Sequence, residues 1–436
     1  MQNNVFEKIS NFNKYFLIYL LFLSFCGIVF LYSKYNVSND STISEWIINY
    51  QGGFTRRGFI GEISFHIAKF FKSELRFVIF LMQVFSYLIF LILTYKFFKN
   101  IKINSILLFA IFTPIFLLYP VAEIEVLARK EVFLYIYFLC FLFLSNPNLD
   151  YQKYVNSFIL IVSPIVCLIY EEVILFFPFL VAALVIQRQI KKFSSFFKLC
   201  LLFFPSILGV IYFFLFPLSI EGHELMKESL LLNFNERCYM SCRLLTVNDI
   251  NQFGVIVDFM YGNNSINDIL TYIFRYTLII LIGFFPLFLI SSHSKIKHQN
   301  IFSYFKLDNI LFLLLFLFIP MLPLFMFGYD WGRWVGMMIS FSSFFYFFLY
   351  KHEYINVDFD KIFKKLFIFR NKKKLCIFIF IVFAFGWNQK TVMSGDVATN
   401  PLWKVPYNTS KLIFGWDSFR ILQDSPLIKW HQKYVE

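Results

Sequence analysis

The sequence predicts an all-α polytopic transmembrane helical bundle, and three observations predict it. Hydrophobic residues make up 59% of the 436-residue chain, 65 of them Phe, and the mean hydropathy of +0.65 lies outside the range of soluble domains. The apolar runs are about 15 to 22 residues long between short polar interruptions, which is the helix length needed to cross roughly 30 Å of hydrocarbon. The short alternating segments of a membrane β-barrel do not occur.

Eleven spans are predicted, at about 16–33, 75–97, 105–122, 132–145, 157–170, 172–187, 197–218, 268–290, 309–328, 333–350 and 374–388. The first follows a short basic segment, lacks a small-residue cleavage site and is long enough to stay as an anchor. The chain reads as one integral membrane domain, 1–436, without internal repeats. Its polar parts are a first outer loop at 34–74, a large outer loop at 219–267 and an outer tail at 389–436. Within the first loop, ISFHIAKFFKSEL has the pattern of a helix lying in the interface.

Orientation follows from the short loops, where basic residues mark the cytoplasmic side. With the N-terminus inside, Lys8, Lys14, Lys96, Lys99, Lys102, Lys153, Arg188, Lys191, Lys192, Lys198, Lys295, Lys297, Lys306 and the run Lys351 to Lys374 are inner. The formal charge of +13 thus reads as a topological signal, and no nucleic-acid partner is expected. Arginine distributes differently. Arg56, Arg57, Arg76, Arg129, Arg237, Arg243, Arg275, Arg333 and Arg420 all fall at or near the outer side, and only Arg188 and Arg370 fall inside. A guanidinium offers a planar fork of donors that binds phosphate or carboxylate bidentately and tolerates partial dehydration, so an anion site on the outer face is expected.

The clusters with chemical potential lie in turns assigned to that face. NYQGGFTRRGFIGE, residues 49–62, sets Arg56 and Arg57 among four glycines and ends on Glu62. Glycine permits tight turns and close backbone approach, and RRG beside an acid also has the character of a backbone-plus-arginine anion cradle. EIEVLARKEV supplies Arg129 and Lys130 among acids. Glu171 and Glu172 interrupt an apolar run too long for one span. At a bundle mouth such a pair is costly, and raising the pKa of one member is the usual route to a general base. In GYDWGRW, Asp330 and Arg333 each directly precede a tryptophan. These tryptophans can be interfacial anchors, or Trp331 can stack on a sugar ring.

Several chemistries are absent. No Walker loop, dinucleotide fingerprint, HExxH or Gly-x-Ser-x-Gly occurs, and the six histidines form no ligand pattern. Cys26, Cys140, Cys167, Cys200 and Cys376 read as small apolar residues inside spans. Cys238 and Cys242, in RCYMSCR, suit a local disulfide in an oxidising compartment; as a zinc site they are incomplete.

In size, Phe/Ile/Tyr-rich composition, span number, large outer loop and outer arginines, the whole chain resembles the bacterial polysaccharide polymerases of the Wzy class. The resemblance implies a multi-pass protein of the bacterial inner membrane with a periplasmic active face. It would polymerise undecaprenyl-pyrophosphate-linked repeat units of O-antigen or capsule, with membrane lipids and a chain-length regulator as further partners. It implies catalytic roles for Glu171, Glu172, Asp330 and Glu62, and substrate binding by Arg56, Arg57, Arg129, Lys130, Arg243, Arg333 and Trp331. No cofactor or metal is needed if arginines neutralise the leaving pyrophosphate. The chain is also similar to GT-C glycosyltransferases in carrying Asp40, Glu45 and Glu62 in its first outer loop, although the paired acids of that class are missing there. A transporter or flippase is the non-enzymatic alternative. It would want charge in mid-span, where Arg275 is the exception found, and an assembly protein is a third reading.

Overall fold

The computed structural model describes residues 11–37, 41–147, 153–238, 240–243, 245–246, 262, 264–365, 373–395 and 397–399. The described chain is helical apart from two antiparallel two-stranded ribbons, Ser294–Ile296 with Ile355–Val357 and Trp387–Asn388 with Ala398–Thr399. Among the described residues, three helices are long and apolar enough to cross a membrane: Phe12–Tyr35, Leu75–Phe98 and Ile266–Ser292. A fourth crossing can be made from Phe193–Leu201 and Phe204–Leu215, which meet at 51°. Shorter apolar helices, Glu131–Leu144, Val155–Ile169, Phe177–Gln187 and Lys373–Phe385, overlap four of the other predicted positions.

Three predicted spans are broken, each beside proline. The run at 105–122 is divided into Ser105–Ile111, roughly 10 Å of rise, and one further turn at Tyr119–Ala122. Pro114 disfavours helical backbone at Thr113, whose hydroxyl instead donates to the Gly283 carbonyl at 2.7 Å. The run at 309–328 is divided into Ile310–Phe318, a 3-10 turn at Ile319–Met321 containing Pro320, and Leu322–Phe327. The run at 197–218 bends ahead of Pro205. The large loop, in turn, holds a 15-residue helix, Ile220–Phe234.

Trp331–Lys351 is the central column, buried continuously from Trp331 to Leu349. Protein on all sides explains why it tolerates serines: Ser340 and Ser342 return their hydroxyls to the carbonyls four residues back. Phe341 of this column stacks between Phe138, at 4.6 Å, and Phe176, at 4.1 Å. Such pairs contribute about 0.5–1.5 kcal/mol beyond their burial. Because Phe176 closes the 3-10 turn Glu171–Phe176, this stack fixes the turn that carries the two glutamates.

The bundle has two chemically distinct ends. At one, Trp46 and Gln83 both donate to the Ala128 carbonyl at 2.7 Å, Arg76 meets Glu236 at 2.5 Å, and Lys34 pairs with Glu125. At the other, Lys351 donates to the Phe97 carbonyl, Tyr350 to that of Lys102, and the Ile301 amide to that of Ile190.

Candidate functional site

The first loop is built by its own residues before it meets the rest of the protein. Asn49 accepts from the Gln51 amide at 3.0 Å, closing a turn. Glu62 accepts from the Tyr50 amide at 2.8 Å and the Gln51 side chain at 2.9 Å, and pairs with His66 at 2.8 Å. Glu62 therefore ties the loop to its following helix, Gly58–Phe71, and stands apart from the other candidate carboxylates. Two glycines allow backbone contact that no side chain would permit. A Cβ on Gly61 would lie 1.8 Å from the Ile48 carbonyl, and one on Gly52 would lie 1.7 Å from that of Gly222.

Arg57 caps the helix start in the left-handed region, at φ 61°, a conformation costly for a residue with a Cβ. The wholly buried Lys130 donates to the Arg57 carbonyl at 2.6 Å and holds it there. So placed, the Arg57 guanidinium reaches across 114 residues of sequence to both oxygens of Glu171, at 3.0 and 2.9 Å. It also meets Glu172 at 3.3 Å and Glu45 at 3.7 Å and lies over the Tyr170 ring at 4.7 Å. Arg56 approaches Glu171 at 3.8 Å. Arg129 pairs with the fully buried Glu45 at 3.2 Å. Arg333 pairs with Glu131 through Nε at 2.7 Å, donates to the Tyr170 hydroxyl at 2.8 Å, and also holds Asp330.

Four turns separated in sequence thus form one network. Of the predicted site residues, Arg56, Arg57, Arg129, Lys130, Glu171, Glu172, Asp330 and Arg333 are brought together. Trp331 is not available to a ligand: it is 7% exposed, donates to the Gly328 carbonyl at 3.0 Å and packs edgewise on Tyr276 and Phe325. The Arg243 side chain lies outside the described residues, as do Asp40, Arg370 and Arg420. The backbone around Arg243 docks on the first loop through Ser241, which donates to the Ser41 carbonyl at 2.8 Å. Cys238 and Cys242 are bridged, with Cα atoms 5.8 Å apart.

Sequence reasoning missed Tyr170, which sits fully buried between the two arginines; its adjacency to the glutamate pair was the available signal. It also passed over Glu45 and Glu131 as members of the site. The segment at 387–395 packs alongside. There Asn388 and Lys390 reach Glu123 at 3.0 and 3.3 Å, and the Thr391 carbonyl accepts from the Gly332 amide at 3.0 Å.

The electrostatics separate the two adjacent glutamates. Burial disfavours the Glu171 carboxylate, but Arg57 and Arg56 outweigh it and hold the group down to about 2. For Glu172 burial prevails over the attraction of Arg57 and the group is raised to about 7; one of its oxygens has no hydrogen-bond partner. Burial also lowers Lys130 to about 8, against the pull of Glu45. Glu45 lies below its ordinary value, because Arg129 and Arg57 overcome its desolvation. The Asp330, Arg57 and Glu172 side chains are 29%, 23% and 18% exposed, so Arg57 and Glu172 belong to the accessible mouth of the network, while Glu45, Glu131 and Lys130 are its buried floor. Among the described residues, no three His, Cys, Asp or Glu side chains are grouped to hold a metal ion.

No protein-family model matches this chain, and no significant match exists to a curated protein or a solved structure.

Proposed function

We propose that this protein is an eleven-span glycosyltransferase of the bacterial inner membrane that lengthens a polyprenyl-pyrophosphate-linked glycan at its periplasmic face. The observation that carries the reading is the mouth of the network: a guanidinium fork beside a carboxylate raised to about 7, the value suited to a general base near neutral pH. In the reaction, an acceptor hydroxyl oxygen bonds to the anomeric carbon of the lipid-linked chain. Glu172 takes the hydroxyl proton, the bond from the anomeric carbon to the phosphate oxygen breaks, and polyprenyl pyrophosphate leaves with the electron pair. Arg56 and Arg57 oppose the charge that develops on the leaving group. Glu171 keeps Arg57 aimed, and Lys130 holds the backbone beneath it.

A structural reading is favoured by one observation. The cations Arg56, Arg57, Arg129, Lys130 and Arg333 are matched in number by the carboxylates Glu45, Glu131, Glu171, Glu172 and Asp330, as in a network that only ties four turns together. Supplying the purified protein with a synthetic polyprenyl-pyrophosphate-linked repeat unit separates the readings. Lengthened glycan supports the transferase. Translocation without lengthening assigns a flippase, and inertness toward this substrate removes the transferase reading.

A further inference from the structure

Beside the glutamate turn lies an apolar cavity of about 390 Å³, within the roughly 300–1,000 Å³ typical of ligand pockets. We propose that it seats the hydrocarbon chain of an isoprenoid phosphate whose phosphate is held at Arg56 and Arg57; this rests on the lipid-linked substrate of the function proposed above.

Continuity with the charged mouth is the first argument. Ile174 and Phe177 line the cavity, and Ile174 follows Glu171 by one turn of the same 3-10 helix, where residues three apart eclipse at a rise of about 6 Å. The charged site and the apolar cavity are therefore consecutive steps of one element. Direction is the second. The cavity follows the first turns of Phe177–Gln187 from its charged end and reaches Phe302, whose neighbour Ile301 bonds Ile190 at the opposite end of the bundle. A chain entering from the mouth would run along the helices, as a lipid tail does. The third argument is how the cavity is made. Phe203 and Ile207 come from the 51° bend, and Leu317 and Pro320 from the broken helix. Two spans that fail to run straight both spend their irregularity on this one space, which is where broken helices are tolerated in a membrane.

Cys200 lines the cavity and is half-buried, which provides a native reporter. The full chain with Cys26, Cys140, Cys167 and Cys376 changed to Ala retains Cys200 as its reactive thiol, and alkylation by an apolar maleimide is timed. A long-chain polyprenyl phosphate should slow alkylation at least ten-fold, whereas phosphatidic acid, with the same phosphate but acyl chains, should not. Equal protection by phosphatidic acid, or none by the polyprenyl phosphate, overturns the proposal. Photo-crosslinking of the unaltered chain with a diazirine-bearing polyprenyl phosphate, mapped by peptide, keeps the test independent of the substitutions: adducts within 174–207 or 302–320 support the seat, and adducts confined elsewhere refute it. Glycan lengthening is scored separately. Cys200 protection without lengthening sustains the cavity and removes the transferase reading. Lengthening that persists undiminished in an Ile207→Trp protein sustains the transferase and removes the cavity.

Discussion

Replacing each of the adjacent glutamates by glutamine should change stability in opposite directions at pH 8. Glu172 titrates near 7 in the folded protein against an ordinary 4.5. A group raised by folding adds nothing below its unfolded value, where both states are protonated, and costs stability as pH rises from 4.5 through 7. The displacement corresponds to a penalty of about 3 kcal/mol at pH 8 and under about 1 kcal/mol at pH 5. Glu172→Gln removes the charge while keeping a carbonyl for the Arg57 contact at 3.3 Å. Glu171, held at about 2, is the converse. Its stabilisation is fully present above 4.5, about 3 kcal/mol, and is lost only as pH falls through 2. Thermal unfolding of the detergent-purified protein at pH 8 should therefore place Glu172→Gln above the parent and Glu171→Gln below it. At pH 5 the gain of Glu172→Gln should largely disappear, while the deficit of Glu171→Gln remains. In the lengthening assay Glu172→Gln should lose about 10²- to 10⁴-fold in rate, the usual contribution of a general base, so that the more stable protein is the less active one. A Glu172→Gln protein that is less stable than the parent at pH 8 would show that this carboxylate is held as an anion, and its assignment as the base would fall.

Other expectations follow from the same geometry. The lengthening rate of the parent should rise with pH up to about 7, where Glu172 loses its proton, and level off above it; a flat profile between pH 5 and 8 contradicts the assignment. Arg57→Lys keeps the charge but loses the fork that engages Glu171 and Glu172, and should shorten the product to one or a few repeats, a loss of roughly 2 to 4 kcal/mol in the transition state. Arg76→Lys retains a partner for Glu236 and should leave the glycan ladder unchanged, so equal ladders from the two variants would count against the site. Gly61→Ala must push apart backbone now in contact, since its Cβ would lie 1.8 Å from the Ile48 carbonyl; a loss of about 1–3 kcal/mol is expected, read as a lowered Tm, and an unchanged Tm would refute the packing. Thiol reagents should label Gln51→Cys from outside intact spheroplasts and Lys192→Cys only after permeabilisation; both positions are exposed at opposite ends of the bundle, and reversed labelling would invert the topology.

The sequence alone determined the class of this protein. A helix satisfies its backbone within one segment, so runs of Phe, Ile and Leu of spanning length are legible without knowing any partner. The same locality made the interruptions at Pro114, Pro205 and Pro320 visible as prolines, yet not as breaks, because proline in a membrane helix breaks it only if neighbours accept the freed backbone groups. For the first of these, the place where the Thr113 side chain turns was decided by Gly283, 170 residues away. Composition and turn chemistry also marked the arginines and acids as too expensive to be filler.

Only the tertiary structure decided what those charges do. In the sequence Glu171 and Glu172 are chemically interchangeable, and their separation to about 2 and about 7 arises because both oxygens of Glu171 accept from Nε of the folded-back Arg57, with Arg56 close by, whereas Glu172 has one longer contact to the Arg57 fork. Lys130 reads from the sequence as a substrate-binding cation, whereas its burial makes it the prop beneath the Arg57 carbonyl. Glu62 and Trp331 fit a site by residue type, and the loop and the aromatic pack consumed them instead. The physical reason is common to all four. Hydrophobic length is a property of one segment, but desolvation and ion pairing depend on what packs alongside, and here Glu131 finds its partner Arg333 at a separation of 202 residues.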